Sequence, residues 1–425
     1  MLSIKVWRRV LDLDARTVIE GVGFDEDSEV VTVRVRRRRP MKQRCGRCGA
    51  RAPGYDQGAG RRRWRALDAG TVQVWLEADS PRVNCAEHGV VVAQVPWARH
   101  DAGHTRAFDD TVAWLVTQAS KTATAELLRV AWRTVGSIIA RVVADIDGQV
   151  DRLAGLRRIG IDEISYKRGH RYLTVVVDHD TGRLVWAAPG RDAATLDGFF
   201  ERLGHERCAQ IRQVSADAAD WITRSVASHC PNAEQAADPF HIVKWASEAL
   251  DEVRRHAWNA ARQAHQLPRD RRARQNRQHR AHPIKRARYA LWKNPENLTV
   301  RQAAQLDWIA RTQPELHRAY LLKEGLRFVF KLGGQAGKDA LDRWISWARR
   351  CRIPAFVVLQ RRIVRHRQAI EVALDTGLSQ GLIESTNTKI RLLTRLAFGF
   401  KNPQALIALA MLALGGYRPD LPGRP

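Results

Sequence analysis

Up to about residue 95, apolar and polar residues alternate in short segments such as Val31–Val35 and Thr71–Leu76. Successive side chains of a β-strand point to opposite faces, so this period of two predicts half-buried strands. Between residues 104 and 150 the apolar residues recur at helical spacing, and few residues break the pattern. We therefore predict a β-rich domain over residues 1–100 and a helical domain over residues 104–150.

From residue 156 onward, strands and helices alternate, which is typical of an α/β domain. The predicted order is three strands, a helix and a fourth strand, over Leu156–Glu163, Arg171–Asp178, Gly182–Trp186, Ala193–Leu203 and Gln210–Ser215. A fifth strand is predicted before Asp238, and after about residue 240 the pattern is almost entirely helical. The predicted fold is multidomain α+β, and the order of elements after residue 155 is that of a ribonuclease-H-like domain.

The excess of positive charge indicates what kind of molecule this protein binds. The chain has 71 Lys and Arg against 45 Asp and Glu, a net charge of +26, and a pI near 10.8. Such a surface repels itself unless a polyanion is bound, which favours a nucleic acid over a merely solvated surface, a ribosomal protein or a membrane-adsorbed protein. No apolar run reaches the roughly 18 residues of a membrane span, and no signal-peptide pattern opens the chain. We expect a cytoplasmic protein.

The densest run of positive charge lies between Arg262 and Arg288, where ten Lys and Arg face one acid, Asp270. A charge run is usually only a solvated face. Because this chain is basic throughout and histidines are interleaved in the run, phosphate contact is the favoured interpretation, with Arg271 and Arg272 as representative contacts.

Two short pairs of metal-ligand residues lie in the N-terminal region, Cys45–Cys48 and Cys85–His88, each with two residues between its members. That spacing lets one tight turn supply two ligands, and two turns complete a tetrahedron of thiolates and imidazole that favours zinc. Four protein ligands leave no open position, so this zinc is predicted to be structural in a zinc ribbon. The alternatives are coincidental pairs or a redox pair at Cys45 and Cys48. The remaining cysteines are isolated and are interpreted as packing residues: Cys208, Cys230 and Cys351.

A helix-turn-helix is predicted between residues 104 and 150. The three helical stretches are Phe108–Ala119, Thr122–Leu128 and Arg133–Val143, and either Ser120 or Thr122 can cap the second. Bihelical patterns also arise by chance in helical domains, but the positive charge and the zinc pairs favour DNA binding. The predicted DNA contacts are three residues at the start of the last helix and three on a strand between the zinc pairs: Arg133, Thr134, Ser137, Arg62, Arg63 and Arg65.

Acidic residues lie at the predicted ends of two strands. Asp162 and Glu163 end the first strand, and Asp217 follows the fourth. In a ribonuclease-H-like order these strands are neighbours, so Asp162 and Asp217 could share Mg²⁺ or Mn²⁺, which prefer oxygen ligands. Two such ions, about 3.5–4 Å apart, would support phosphoryl transfer. An acid at a strand end is ordinarily a turn or cap residue, and this alternative stays open.

A third carboxylate must come from elsewhere in the chain. Glu384 opens a late helix, and Lys389 and Arg391 on the same helix are predicted to contact the phosphate backbone. Asp238 is a competitor, because it follows the predicted fifth strand. It either caps the next helix or lies beside the metal ions with His241.

Together these residues resemble the insertion-sequence transposases of the ISL3 family, which belong to the DDE class. The resemblance covers nearly the whole chain and rests on the ordered set of Cys45–Cys48 with Cys85–His88, the helix-turn-helix at 120–141, Ile159–Glu163 with Gly169–Tyr172, Val214–Asp217, Ala237–Lys244, and Gly381–Ile390 with Phe398–Asn402. Any single piece is weak, and the set is specific.

The resemblance implies a transposase that binds the terminal inverted repeats of an insertion sequence, cuts at its ends and joins them to target DNA. It implies Asp162, Asp217 and Glu384 as the catalytic triad, with Asp162 chosen over Glu163. It also implies a helical basic insertion over residues 246–375 and a return to the catalytic core over residues 376–425, after the first part at 155–245. Double-stranded DNA, a homodimer on paired ends and a prokaryotic, nucleoid-associated location are expected.

Two other functions remain open from the sequence. A catalytically inactive DNA-binding regulator derived from a transposase would keep the zinc ribbon and the helix-turn-helix. A ribonuclease or resolvase would use the same catalytic fold on another substrate. The presence of all three acids favours the active transposase.

Overall fold

The computed structural model describes residues 3–38, 43–217, 219–263 and 284–424. Two of the predicted phosphate contacts, Arg271 and Arg272, lie outside the described residues. None of the helices in the described part of the chain is long and apolar enough to span a bilayer.

The N-terminal module consists of helix α1 (Ile4–Val10) and seven strands. The strands are β1 (Thr17–Asp25), β2 (Val30–Arg37), β3 (Gly54–Asp56), β4 (Arg61–Arg65), β5 (Gln73–Asp79), β6 (Arg82–Cys85) and β7 (Gly89–Val92). One sheet has the order β1-β2-β5-β4, and a second has the order β3-β6-β7. Val31, Val33 and Val35 of β2 are buried while the residues between them are not, which confirms the predicted period of two.

Three helices follow, namely α2 (Arg106–Leu115), α3 (Lys121–Leu127) and α4 (Trp132–Asp147). Ser120 rather than Thr122 caps α3, because its hydroxyl accepts a 3.1 Å hydrogen bond from the backbone N–H of Ala123. Arg129, with a φ of 52°, turns the chain between α3 and α4. The three predicted helices therefore form, and α2 packs on α4.

The central sheet has the strand order β10-β9-β8-β11-β12. Its strands are β8 (Arg158–Lys167), β9 (Arg171–Asp178), β10 (Arg183–Pro189), β11 (Gln213–Ala216) and β12 (Glu234–Ala237), with α5 (Ala193–Leu203), α6 (His205–Cys208) and α7 (Asp220–His229) in the connections. β8, β9 and β10 are antiparallel, whereas β11 and β12 run parallel to β8. The prediction that the first strand ends at Asp162 and Glu163 is wrong. The strand continues to Lys167, because buried Ile164 still pairs with Leu173 of β9.

Beyond β12 the described chain is helical. The helices are α8 (Pro239–Gln263), α9 (Arg288–Trp292), α10 (Val300–Thr312), α11 (Pro314–Leu332), α12 (Gly334–Arg350), α13 (Pro354–Arg365), α14 (Arg367–Thr376), α15 (Gly381–Leu396) and α16 (Pro403–Leu414). Helices α8 to α14 share a hydrophobic core of their own. The last two return to the central sheet, where α15 contacts β8, and α16 contacts β10 and α4.

An ion-pair network joins the N-terminal module to the helix-turn-helix. The side chain of Arg99 is 6% exposed and lies 2.7 Å from a carboxylate oxygen of Asp110 and 2.8 Å from one of Asp145. Its third neighbour is Asp109, at 3.7 Å, which also pairs with Arg141 at 3.1 Å. Burial raises the pKa of both Asp109 and Asp110. These carboxylates therefore depend on Arg99 to stay ionised.

Replacing Arg99 by methionine is expected to lower the free energy of unfolding by about 3–5 kcal/mol, because buried carboxylates would lose their partner. Urea unfolding followed by tryptophan fluorescence measures the change. The matched control is Arg16→Met, which breaks an exposed pair with Asp14 and is expected to cost about 1 kcal/mol or less. Equal effects of the two substitutions would contradict the role assigned to Arg99.

Candidate functional site

The structure brings the four predicted zinc ligands together. Cys45 and Cys48 lie in the loop before β3, Cys85 ends β6, and His88 lies in the turn to β7. All four ligand atoms lie within 4.8 Å of one another. Cys48 Sγ is 3.8 Å from Cys85 Sγ, and His88 Nδ1 is 3.9 Å from Cys45 Sγ and 3.7 Å from Cys85 Sγ.

These distances fit a tetrahedral zinc ion. Bonds of about 2.3 Å to sulfur and about 2.0 Å to nitrogen separate tetrahedral ligand atoms by roughly 3.5–3.8 Å. The hydrogen bond to His88, with help from backbone N–H groups, lowers the pKa of Cys85 to about 6, so this ligand is a thiolate at neutral pH. The turn also requires glycine at Gly46, because a Cβ there would lie 2.4 Å from the carbonyl oxygen of Val92.

Three carboxylates meet on the central sheet. Asp162 and Glu163 lie on β8, and Asp217 directly follows β11, its parallel neighbour. Ile161 pairs with Ala216, so Asp162 and Asp217 each follow that pair by one residue. Carboxylate oxygens of Asp162, Glu163 and Asp217 lie within 4.8 Å of one another. The structure thus brings Asp162 and Asp217 together and adds Glu163.

Two of the three carboxyl groups have raised pKa values. Burial, followed by the negative charges of Asp217 and Glu163, raises the pKa of Asp162 to about 6, although the backbone N–H of Glu163 opposes the shift. Burial also raises the pKa of Glu163, whose carboxylate lies 3.6 Å from Arg191. Glu163 Oε1 is buried and has no hydrogen-bond partner among the described residues. Such a set of oxygens suits a hard divalent cation.

His241 connects Asp217 with Asp238. Its Nδ1 lies 2.8 Å from a carboxylate oxygen of each, and the hydrogen bonds to Asp217 and then Asp238 raise the pKa of His241 to about 10. Asp238 is 5% exposed and also accepts a 3.2 Å hydrogen bond from the N–H of Phe240. The sequence offered two roles for Asp238, and the structure combines them: Asp238 caps α8, and through His241 it adjoins the carboxylate cluster.

Glu384 lies near the carboxylate cluster but is not within it. It is an exposed residue in the first turn of α15. Three residues later, Asn387 Nδ2 donates a 2.6 Å hydrogen bond to Asp162 Oδ2. Residues three apart on a helix are neighbours, with Cβ atoms about 5–6 Å apart. Glu384 is thus one helical turn from the residue that touches Asp162.

Sequence reasoning missed Asn387. Its side chain is 2% exposed, and Oδ1 is buried without a hydrogen-bond partner in the described chain. This buried amide therefore positions the Asp162 carboxylate. The only available signal was its position one helical turn after Glu384, and that signal is too common in helices to single out a residue.

The predicted DNA contacts differ in how they are placed. Arg133 and Ser137 on α4 are exposed and Thr134 is partly exposed, and Lys389 and Arg391 on α15 are exposed. Arg62, Arg63 and Arg65 lie on β4, in the sheet that does not contain the zinc ligands.

Each of the β4 arginines has a partner within the protein. Arg62 donates to the carbonyl of Ala102 at 2.8 Å, and Arg63 donates to Glu77 at 3.1 Å. Arg65 is 3% exposed and pairs with Asp68. The guanidinium of Arg65 is therefore enclosed by the module that it stabilises, and its contact with DNA stays a prediction.

Comparisons with known proteins agree along the whole chain. Three family models match in succession: the zinc-finger of transposase IS204/IS1001/IS1096/IS1165 over residues 42–88, the helix-turn-helix domain of transposase family ISL3 over residues 93–143, and the DDE transposase model of ISL3 over residues 159–410. The transposase for insertion sequence element IS1557 of Mycobacterium tuberculosis is 64% identical, covering 100% of this chain and 98% of its own. The transposase for IS1001 of Bordetella parapertussis is 27% identical, covering 85% and 86%.

Proposed function

Since this chain belongs to the ISL3 family of transposases and is an enzyme that cuts and joins DNA, we propose that Asp162, Asp217 and Glu384 form its cutting centre. The observation that carries this proposal is the hydrogen bond from Asn387 to Asp162. It anchors the helix of Glu384 to the strand of Asp162, and that strand is the parallel neighbour of the strand before Asp217.

The catalytic domain is, in this proposal, ribonuclease-H-like. Its support is the strand order β10-β9-β8-β11-β12, with three antiparallel strands followed by two parallel ones. Helices α8 to α14 then form an insertion, because they have a separate core and lie between β12 and the helix of Glu384. The domains are accordingly 1–100, 104–150, 155–245, 246–375 and 376–425.

The oxygen donors fit Mg²⁺ or Mn²⁺, which Asp162, Asp217 and Glu384 would hold as two ions. Such ions, when bound, activate the attacking oxygen and stabilise the leaving one. The carboxylates alone would repel a phosphodiester, and burial of Asp162, which raises its pKa to about 6, makes its ionised form costly without a cation. Cys45, Cys48, Cys85 and His88 would hold a structural zinc ion.

The cutting step is hydrolysis of one phosphodiester bond at the end of the element. The oxygen of water bonds to phosphorus and the P–O3′ bond breaks, which leaves a 3′-hydroxyl and a 5′-phosphate. That hydroxyl then attacks a phosphodiester of target DNA: its oxygen bonds to the target phosphorus, and the target's P–O3′ bond breaks to release a 3′-hydroxyl of the target strand. Joining requires two ends at once, so a homodimer on paired ends is the proposed assembly.

In this proposal, residues other than the carboxylates recognise DNA. Arg133, Thr134 and Ser137, at the start of α4, would read the terminal inverted repeat in the major groove. Lys389 and Arg391 on the exposed side of α15 would contact phosphates close to the cut. The protein acts in the prokaryotic cytoplasm at the nucleoid.

Two matched substitutions test the third carboxylate. Glu384→Gln is expected to lower strand cutting by about 10²–10³-fold, the range for a lost electrostatic contact to the transition state. Glu163→Gln is expected to retain most activity, because the Glu163 carboxylate faces Arg191. Mg²⁺-dependent cutting of a labelled duplex that carries the element's inverted repeat measures both.

The same duplex in a gel-shift assay provides the control, since both variants should bind it as the unmodified protein does. An inactive Glu163→Gln protein beside an active Glu384→Gln protein would overturn the assignment and make Glu163 the third carboxylate.

A further inference from the structure

A deep groove separates the helix-turn-helix from the far end of the helix that bears Glu384. Its walls are the start of α3, the first turns of α4, and the segment that joins α15 to α16. It encloses about 1030 Å³. We call it the α4–α15 groove, and the DNA-reading residues Arg133 and Ser137 lie in its wall.

The charge of the α4–α15 groove has a single sign. Lys121, Arg133, Lys167 and Lys401 line it, and no Asp or Glu is among its lining residues. None of these four cations has a salt-bridge partner in the described part of the chain. Four cations that face one cavity, with no acid among its lining residues, favour an anionic ligand.

Two exposed aromatic rings also belong to the groove. Trp132 is 55% exposed, and Lys121 Nζ lies 3.3 Å from the centre of its ring. Phe398 is 95% exposed and has a φ of 54°. Glycine or asparagine usually fills this left-handed position after a helix. Here the position carries a bulky apolar ring that is exposed to solvent.

We propose that the α4–α15 groove binds unpaired nucleotides of the DNA end, with bases stacked on Phe398 and Trp132 and phosphates on Lys121, Lys167 and Lys401. Aromatic platforms inside a basic groove are how proteins hold single strands. The volume slightly exceeds the roughly 300–1,000 Å³ of small-ligand sites, which suits a few nucleotides and is too small for a duplex. This proposal rests on the family's DNA binding, and its test by DNA binding without metal does not depend on which carboxylates cut.

The groove also lies at a workable distance from the cutting centre. From Glu384 to Leu396 the helix rises about 18 Å, at about 1.5 Å per residue. That length matches about five nucleotides at roughly 3.4 Å each. Separation of the strands near the cut would therefore deliver its unpaired nucleotides to Phe398.

The test compares two DNA probes in EDTA, so that nothing is cut. One is a fully paired duplex with the element's inverted repeat, and the other is the same duplex with five mispaired nucleotides at its outer end, one of them 2-aminopurine. Fluorescence anisotropy gives Kd, and quenching of 2-aminopurine reports stacking. The unmodified protein is expected to bind the mispaired probe about 5–100-fold more tightly and to quench it.

Phe398→Ala is expected to abolish the preference and the quenching while paired-duplex affinity stays unchanged, and Phe398→Trp should restore both. Tyr289→Ala is the matched control, because Tyr289 is 68% exposed on α9 outside the groove.

Equal binding of both probes, or a preference that survives Phe398→Ala, overturns the proposal. The proposal is also overturned if Phe398→Ala changes the sedimenting mass of the protein and leaves its preference for the mispaired probe unaltered. That result would assign the groove to contact with a second copy of the chain. Asp162→Asn should keep the preference, so this test and that of the cutting centre fail separately.

Discussion

Asp162→Asn is expected to reduce DNA strand cutting by about 10³-fold or more, with binding of the element end unchanged. Asparagine has nearly the shape of aspartate and cannot supply the negative charge that a divalent ion requires. Asp162 accepts the hydrogen bond of Asn387 and belongs to the carboxylate cluster, so it joins the helix of Glu384 to the strand that precedes Asp217. The face of α4 that we propose reads DNA does not include Asp162, so its binding to DNA should be unaffected.

The loss of activity should not come from unfolding. Burial raises the pKa of Asp162 from 3.8 to about 6 in the folded protein. A group with a raised folded pKa stabilises the fold below its unfolded pKa, and this contribution is lost as the pH rises through about 6. Without metal, the ionised aspartate is therefore destabilising at pH 8. We expect the Asn variant to have an equal or higher Tm in EDTA, and to gain less Tm than the unmodified protein when Mn²⁺ is added.

Cutting is measured with a labelled duplex in Mg²⁺ or Mn²⁺, and end binding by gel shift. Asp180→Asn serves as the control, because Asp180 lies in the turn between β9 and β10, in an exposed pair with Arg158. Full activity of Asp162→Asn would refute the proposed centre. Failure of the unmodified protein to cut under any metal condition would favour the catalytically inactive regulator.

Cys48→Ser is expected to remove the zinc ion and with it most binding of the element end. Cys48 is exposed, so the substitution itself disturbs little packing and its effect reports the metal. Structural zinc contributes about 10–16 kcal/mol to the folding of small zinc modules. Backbone hydrogen bonds tie the cysteine loop to residues 92 and 94, a few residues before Arg99. Loss of zinc should therefore loosen the network that supports the helix-turn-helix.

Zinc released by acid and measured with a colorimetric chelator should be one per chain in the unmodified protein and near zero in Cys48→Ser. Cys351→Ser is the control, because Cys351 is buried in the helical core far along the chain and should leave zinc content unchanged. A Cys48→Ser protein that retains zinc and binds DNA normally would contradict the assignment.

Features that depend on residues close together in the chain could be predicted from the sequence. The zinc pairs are such a case, because two residues between ligands already specify a turn that presents both to one ion. The helices of the helix-turn-helix also follow from local periodicity and from the cap at Ser120. The proximity of Asp162 and Asp217 is also predictable, since the order of strands places these two residues on neighbouring strands.

Contacts between distant segments could not be predicted in this way. Glu384 lies 167 positions after Asp217, and no spacing rule spans a helical region of that length, so only a family resemblance suggested it. The contact of Asn387 with Asp162 joins residues 225 positions apart. The side chain of His241 between Asp217 and Asp238 likewise depends on how α8 leaves the sheet.

The burial of individual charged side chains could not be predicted from the sequence. Arg65 resembles its basic neighbours in sequence, yet folding encloses it against Asp68, because a charged group can be buried when a partner is supplied. Glu163 joins the carboxylate cluster although it seemed redundant beside Asp162. The local pattern thus establishes the zinc module, the helix-turn-helix and the strands of the catalytic sheet. Which charges face DNA, a metal ion or the protein interior depends on tertiary packing, because packing alone decides each charge's solvent and partners.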